Sequence, residues 1–110
     1  MTLWEDSGTN EQKWYIEYVQ GHYYIRSVID TQYGLNLYRS GNPYNCNLYK
    51  VIGNETDSQI DIIFTNGMYK IKLHNYDLYL TVGSSANGSN VYWSASSTSD
   101  YQLWMLTPLL

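Results

Sequence analysis

Three segments of this 110-residue chain carry the same short pattern at an offset of 45 residues. They are Met1-Thr2-Leu3-Trp4, Cys46-Asn47-Leu48-Tyr49 and Val91-Tyr92-Trp93-Ser94, and the alternation of side-chain character agrees in all three. A polar loop follows each, and then a Gln-led stretch: Gln12-Lys13-Trp14, Gln59-Ile60-Asp61 and Gln102-Leu103-Trp104. Upstream, Leu35-Asn36-Leu37 matches Leu80-Thr81-Val82 at the same offset of 45, and Tyr23-Tyr24-Ile25 matches Tyr69-Lys70-Ile71 at 46. Repetition at a fixed period means that one supersecondary unit recurs and buries its apolar face against its copies.

What fills the unit follows from the spacing of apolar residues. They come in short alternating runs, the period of half-buried strands, and helical spacing is sustained nowhere. The runs predict strands at Met1 to Glu5, Lys13 to Val19, Tyr23 to Ile29, Gly34 to Tyr38, Asn47 to Ile52, Gln59 to Phe64, Met68 to Leu73, Leu78 to Gly83, Asn90 to Ser94 and Gln102 to Thr107. Turn-forming stretches separate them, among them Gly21-His22, Ser40-Gly41-Asn42-Pro43 and Asn66-Gly67, the last being the tightest hairpin signal. Plentiful Tyr, Ile, Val, Thr, Asn, Ser and Gly against scarce Ala, Leu, Glu and Lys gives the same answer. The expected fold class is all-β with little or no helix, in one domain over residues 1–110.

Three units of about 45 residues, closed by a Gln-x-Trp motif in two of them, resemble the ricin B-type lectin family over nearly the whole chain. The resemblance implies a β-trefoil of three four-stranded repeats: a partial one at 1–20, then 21–65 and 66–110. In that family the Trp of each motif packs into a shared core, and the Gln braces the neighbouring loop. Trp14 and Trp104 fit, but Asp61 stands where the middle unit should have Trp. A carboxylate is not buried unpaired, so Ile60 or Ile62 is expected to fill the core, or the register to shift locally. Met1-Thr2-Leu3-Trp4 aligns with the third strand of a unit, so the first hairpin is absent. The chain is then either a piece of a longer protein or a homo-oligomer in which another copy covers the gap.

The resemblance also implies a function: a non-catalytic, secreted carbohydrate-binding module, such as the targeting domain of a larger hydrolase or toxin. A sugar needs an aromatic face beneath its ring and a few planar polar groups for its hydroxyls. Carried over position by position, the middle unit offers Asn36, Tyr49 and Ser58, with Asn47, Asp57 and Gln59 nearby. The final unit offers Thr81, Ser94 and Tyr101, with Trp93 beside the stacking position. The first unit offers Trp4, Glu11 and Gln12. Bracing is the expected role of Gln12, Gln59 and Gln102, and core packing that of Trp14 and Trp104. For Asn36, Tyr49 and Trp4, bracing loops or covering the barrel surface is an equally good account. The other reading is a β-trefoil that binds protein, as a protease inhibitor or an assembly subunit, since one fold hosts many functions.

Other classes find little footing. A formal charge of −4 with six scattered basic residues gives no clustered cationic face for nucleic acid or an anionic membrane. No apolar run reaches membrane-spanning length. Cys46 has no partner for an internal disulfide and aligns with Met1 and Val91, a core column. His22 and His74 stand apart in turn-like positions without metal-ligand spacing, and are expected to be solvated. No cofactor or metal is expected, and the scattered turn carboxylates give no enzyme signature.

Overall fold

The computed structural model describes Met1, residues 12–51, Gly53 and residues 55–107. Trp4, Glu11 and the rest of the first expected strand beyond Met1 lie outside the described residues. Eight strands are described: β1 (Trp14–Val19), β2 (His22–Ser27), β3 (Tyr33–Tyr38), β4 (Tyr44–Lys50), β5 (Ile60–Thr65), β6 (Met68–Leu73), β7 (Tyr79–Val82) and β8 (Val91–Ser94). Two short 3-10 turns, Thr56–Ser58 and Asp100–Gln102, lie between and after them.

Two hairpins are set by their turns. Asn66 and Gly67 both adopt positive φ, 50° and 81°, the mirror-image turn whose twist matches the strands it joins. They hold Thr65 opposite Met68 and run the β5–β6 pairing to Ile60–Leu73. Gln20 and Gly21 repeat this geometry at φ 50° and 90°. The turn is therefore Gln20-Gly21 rather than Gly21-His22, and His22 becomes the first residue of β2, opposite Val19.

Each neighbour in the order β2-β3-β4-β8-β7-β6-β5 is hydrogen-bonded to the next, and a β2–β5 pairing closes the ring. The result is a barrel of seven strands, with β1 added outside it along β2. Closure removes sheet edges from the barrel. The β4–β8 contact, Tyr44↔Trp93 and Asn45↔Tyr92, explains why β4 starts three residues earlier than its local sequence predicts. Those first residues pair across the barrel. The strand expected at Gln102 to Thr107 contributes instead an isolated bridge, in which Tyr69 and Trp104 exchange both backbone bonds at 2.8 Å.

Inside, the equivalent positions of the repeat meet. Leu35 and Leu80 are both 2 % exposed. Met1, Cys46 and Val91, spaced 45 apart in sequence, converge: Met1 N donates to the Cys46 carbonyl at 2.9 Å, and Val91 N to the Met1 carbonyl at 2.8 Å. The Asp61 problem is resolved by its neighbour. Ile60 is wholly buried and pairs with Tyr23, while Asp61 is half-exposed and bonded to His74 Nδ1 at 2.7 Å. Trp14 and Trp104 pack against the core and are partly buried, and Trp104 Nε1 donates to the Leu80 carbonyl at 3.0 Å.

Burial pushes the Cys46 thiol up to about 12. The thiolate is the reactive form, so folded protein at neutral pH is expected to resist a thiol reagent that labels it fully once denatured. Rapid labelling of the native state, followed by mass spectrometry, would contradict the core assignment.

Candidate functional site

β3 and β4 run antiparallel with Asn36 opposite Asn47 and Gly34 opposite Tyr49. Opposed residues and those two apart share a face, so Asn36, Asn47 and Tyr49 line one side of this hairpin. The 3-10 turn Thr56–Ser58 docks there. Ser58 Oγ donates to Asn36 Oδ1 at 2.9 Å, and Asn36 Nδ2 donates to Asn47 Oδ1 and to the Leu37 carbonyl, both at 3.0 Å. Asn75 Nδ2 then ties the same loop from the other side, donating to Gln59 Oε1 at 2.9 Å and to the Thr56 carbonyl at 3.1 Å.

The residues gathered from the sequence meet here, and Gln59 braces as expected, while Asn36 and Ser58 take the bracing role rather than that of ligand contacts. Ser58 is 1 % exposed, and Asn36 and Gln59 are 7 % exposed. Both amide hydrogens of Asn36 are already donated within the protein, and its oxygen already accepts. These side chains hold the loop; they do not offer free groups to a hydroxyl. Trp93 is a further correction. It is wholly buried, and its Nε1 donates to the Asn36 carbonyl at 3.1 Å. It therefore forms the core beneath the site and presents no face to solvent.

What remains accessible is Tyr49, 52 % exposed, next to the half-buried Asn47, whose Nδ2 has no partner among the described residues. Asp57, in the docked turn, is bonded to Arg39 Nη2 at 3.2 Å. Arg39 also donates to the Tyr76 hydroxyl at 2.9 Å and lies 5.0 Å over that ring. Asp57 beside it holds the guanidinium above its ordinary pKa. Sequence reading missed Arg39 and Tyr76, since nothing local marks a cation 18 residues from its carboxylate and 37 from its ring.

The final unit repeats the bracing with other atoms. Gln102, 1 % exposed, donates through Nε2 to the Ala95 carbonyl at 2.7 Å and to Thr81 Oγ1 at 3.2 Å. Its Oε1 accepts from Ser97 N at 2.9 Å. Thr81 occupies the place of Asn36, and both are tied to the loop that follows their hairpin. Ser94 is half-buried and Tyr101 exposed.

One histidine differs from expectation, while His74 is exposed as expected. His22 is buried, because the turn precedes it. Its ring lies 5.2 Å from Tyr24 and 5.5 Å from His74. Among the described residues no group of three or more His, Cys, Asp or Glu is placed to hold a metal ion.

No protein-family model and no curated protein matches the sequence. Two solved structures share its fold. One is a designed 3-fold symmetric protein, ThreeFoil, with a TM-score of 0.81 and 22 % identity over 96 % of this chain and 79 % of that one. The other is a mosquitocidal holotoxin, with a TM-score of 0.85 and 22 % identity over 94 % of this chain. This chain spans 14 % of the holotoxin chain. The fold is therefore a β-trefoil.

Proposed function

We propose that this chain is a carbohydrate-binding module of the ricin B type, built on a repeat of about 45 residues. The observation that carries the reading is Tyr49. Its ring stands in solvent beside Asn47 Nδ2, which has no partner among the described residues, on a hairpin whose loop is fixed by Asn36, Ser58 and Gln59. A rigid aromatic face beside a planar donor suits the apolar patch and adjacent hydroxyls of a pyranose. The meeting of Met1, Cys46 and Val91 supports the three-unit layout. The likeness to a small part of a holotoxin chain supports a secreted targeting domain of a longer protein.

Calorimetric titration with a glycan that binds tests this site. Tyr49→Ala should weaken binding by about tenfold, or about 1.4 kcal/mol, and leave the unfolding midpoint unchanged. Undiminished sugar binding by the variant would remove Tyr49 from the site. The sealing of Asn36 favours one second reading, a trefoil that binds protein through its loops. Such a binder would be indifferent both to free sugar and to Tyr49→Ala.

A further inference from the structure

The middle unit differs from its sisters at three positions that come together in space. Asp61 stands where the other units have Trp14 and Trp104, and, counting 46 residues, His22 answers to Met68 and His74 to Val28. Three titratable side chains replace three apolar ones. They meet at the seam that closes the barrel, where Tyr23 of β2 pairs with Ile60 of β5. His22 opens β2, Asp61 lies in β5, and His74 follows β6 with its backbone N–H donated to the Gln59 carbonyl at 2.8 Å.

The carboxylate orients the His74 ring. Asp61 Oδ1 lies 2.7 Å from His74 Nδ1. An ionised carboxylate only accepts, so Nδ1 carries the proton and the neutral ring has its lone pair on Nε2. Lys72, opposite Asp61 on β6, donates its Nζ to the Leu73 carbonyl at 2.8 Å and leaves the carboxylate to His74. A carboxylate on the far nitrogen is how histidine ligands are held on metal ions. The His22 ring lies 5.5 Å from that of His74 and is edge-on to Tyr24 at 5.2 Å. His22 is 7 % exposed, and its Nε2 is sealed from solvent with no hydrogen-bond partner among the described residues. A buried polar atom left unpaired requires a reason, and a cation held between the two rings supplies one. Two imidazoles that share one ion, each with a nitrogen about 2.0–2.1 Å from it, place their ring centroids roughly 5–6 Å apart. That is the spacing of His22 and His74.

We infer that His22 and His74 form a two-nitrogen site for a borderline divalent cation such as Zn²⁺, with Asp61 positioning His74 and water completing the coordination shell. Imidazole suits such ions, whereas hard cations take sets of oxygen ligands. Among the described residues no third side-chain ligand joins them, so the site is an open one. The bound ion ties β2 to the β5–β6 hairpin across the seam. The inference stands apart from the carbohydrate reading.

Zn²⁺ titrated into metal-free, ¹⁵N-labelled protein, with the imidazole nitrogens followed in long-range correlation spectra, tests it. The ring nitrogens of both histidines should shift together, the thermal unfolding midpoint should rise with them, and Mg²⁺ should produce neither effect. His74→Gln, at an exposed position, should abolish both responses to Zn²⁺. Asp61→Asn should weaken Zn²⁺ binding by about tenfold; an unchanged affinity would remove Asp61 from the site. Amide spectra of the free variants, compared with that of the parent protein, separate lost binding from lost folding. Shifts of His74 alone would mean an ion held by one exposed imidazole, and would overturn the shared site. So would the absence of any response to Zn²⁺, or an equal response to Mg²⁺.

Discussion

Replacing Trp93 with alanine is expected to destabilise the protein by about 3–5 kcal/mol, a large share of the roughly 5–15 kcal/mol that holds a domain of this size together. The side chain is wholly buried, the largest so placed among the described residues. It contacts a core built from Leu35, Leu80, Val91 and their neighbours. Truncation leaves a void too large for that closed barrel to collapse into, and the Asn36 carbonyl loses the indole N–H that it accepts at 3.1 Å. Urea unfolding followed by tyrosine and tryptophan fluorescence measures the loss. Trp93→Phe isolates the hydrogen bond: much of the volume stays, so a cost of about 1–3 kcal/mol is expected. A Trp93→Ala variant as stable as the parent protein would mean that the barrel is not packed as described.

Gln102→Leu is the second large effect. Leucine is close in size and more apolar, so a purely steric role would make the change neutral. The Gln102 side chain instead satisfies three groups: Ser97 N, the Ala95 carbonyl and Thr81 Oγ1. Replacing it leaves buried partners without their bonds, at about 1–3 kcal/mol for each group that water cannot reach. A net cost on the order of 3 kcal/mol is expected, with faster amide exchange at Ser97. A stability equal to the parent protein's, with unchanged exchange, would show that the loop does not depend on this glutamine.

The repeat was legible because it is written in backbone-level pattern: alternation, turn residues and a Gln-led stretch at a fixed offset. Where a turn fixes its own geometry, the reading is sharp. Asn66-Gly67 places β6 at Met68–Leu73, the boundaries expected from sequence. Where an element depends on a distant partner, the reading blurs. Tyr44 and Asn45 are strand because β8 lies beside them, and nothing local announces that.

Side-chain direction was harder still. Trp93 was expected at the surface because it adjoins a stacking position, yet it lies two residues from buried Val91 and so points inward with it. Its counterpart Leu48 follows the same alternation from Cys46 and is nonetheless 45 % exposed. The middle-unit site shows the same limit. Spacing gathers Asn36, Asn47, Ser58 and Gln59 correctly, but short polar side chains gathered in a half-buried corner bond to one another first. Only the outermost, Tyr49 and part of Asn47, is left for a ligand.

A glycan array that includes bacterial cell-wall polysaccharides, probed with the folded protein, tests the carbohydrate reading most directly. Binding to a defined glycan, competed by the free sugar and weakened by Tyr49→Ala, is the result expected of a lectin module. A blank array from a sample with a cooperative unfolding transition would contradict it, and would turn the exposed loops of the trefoil toward a protein partner.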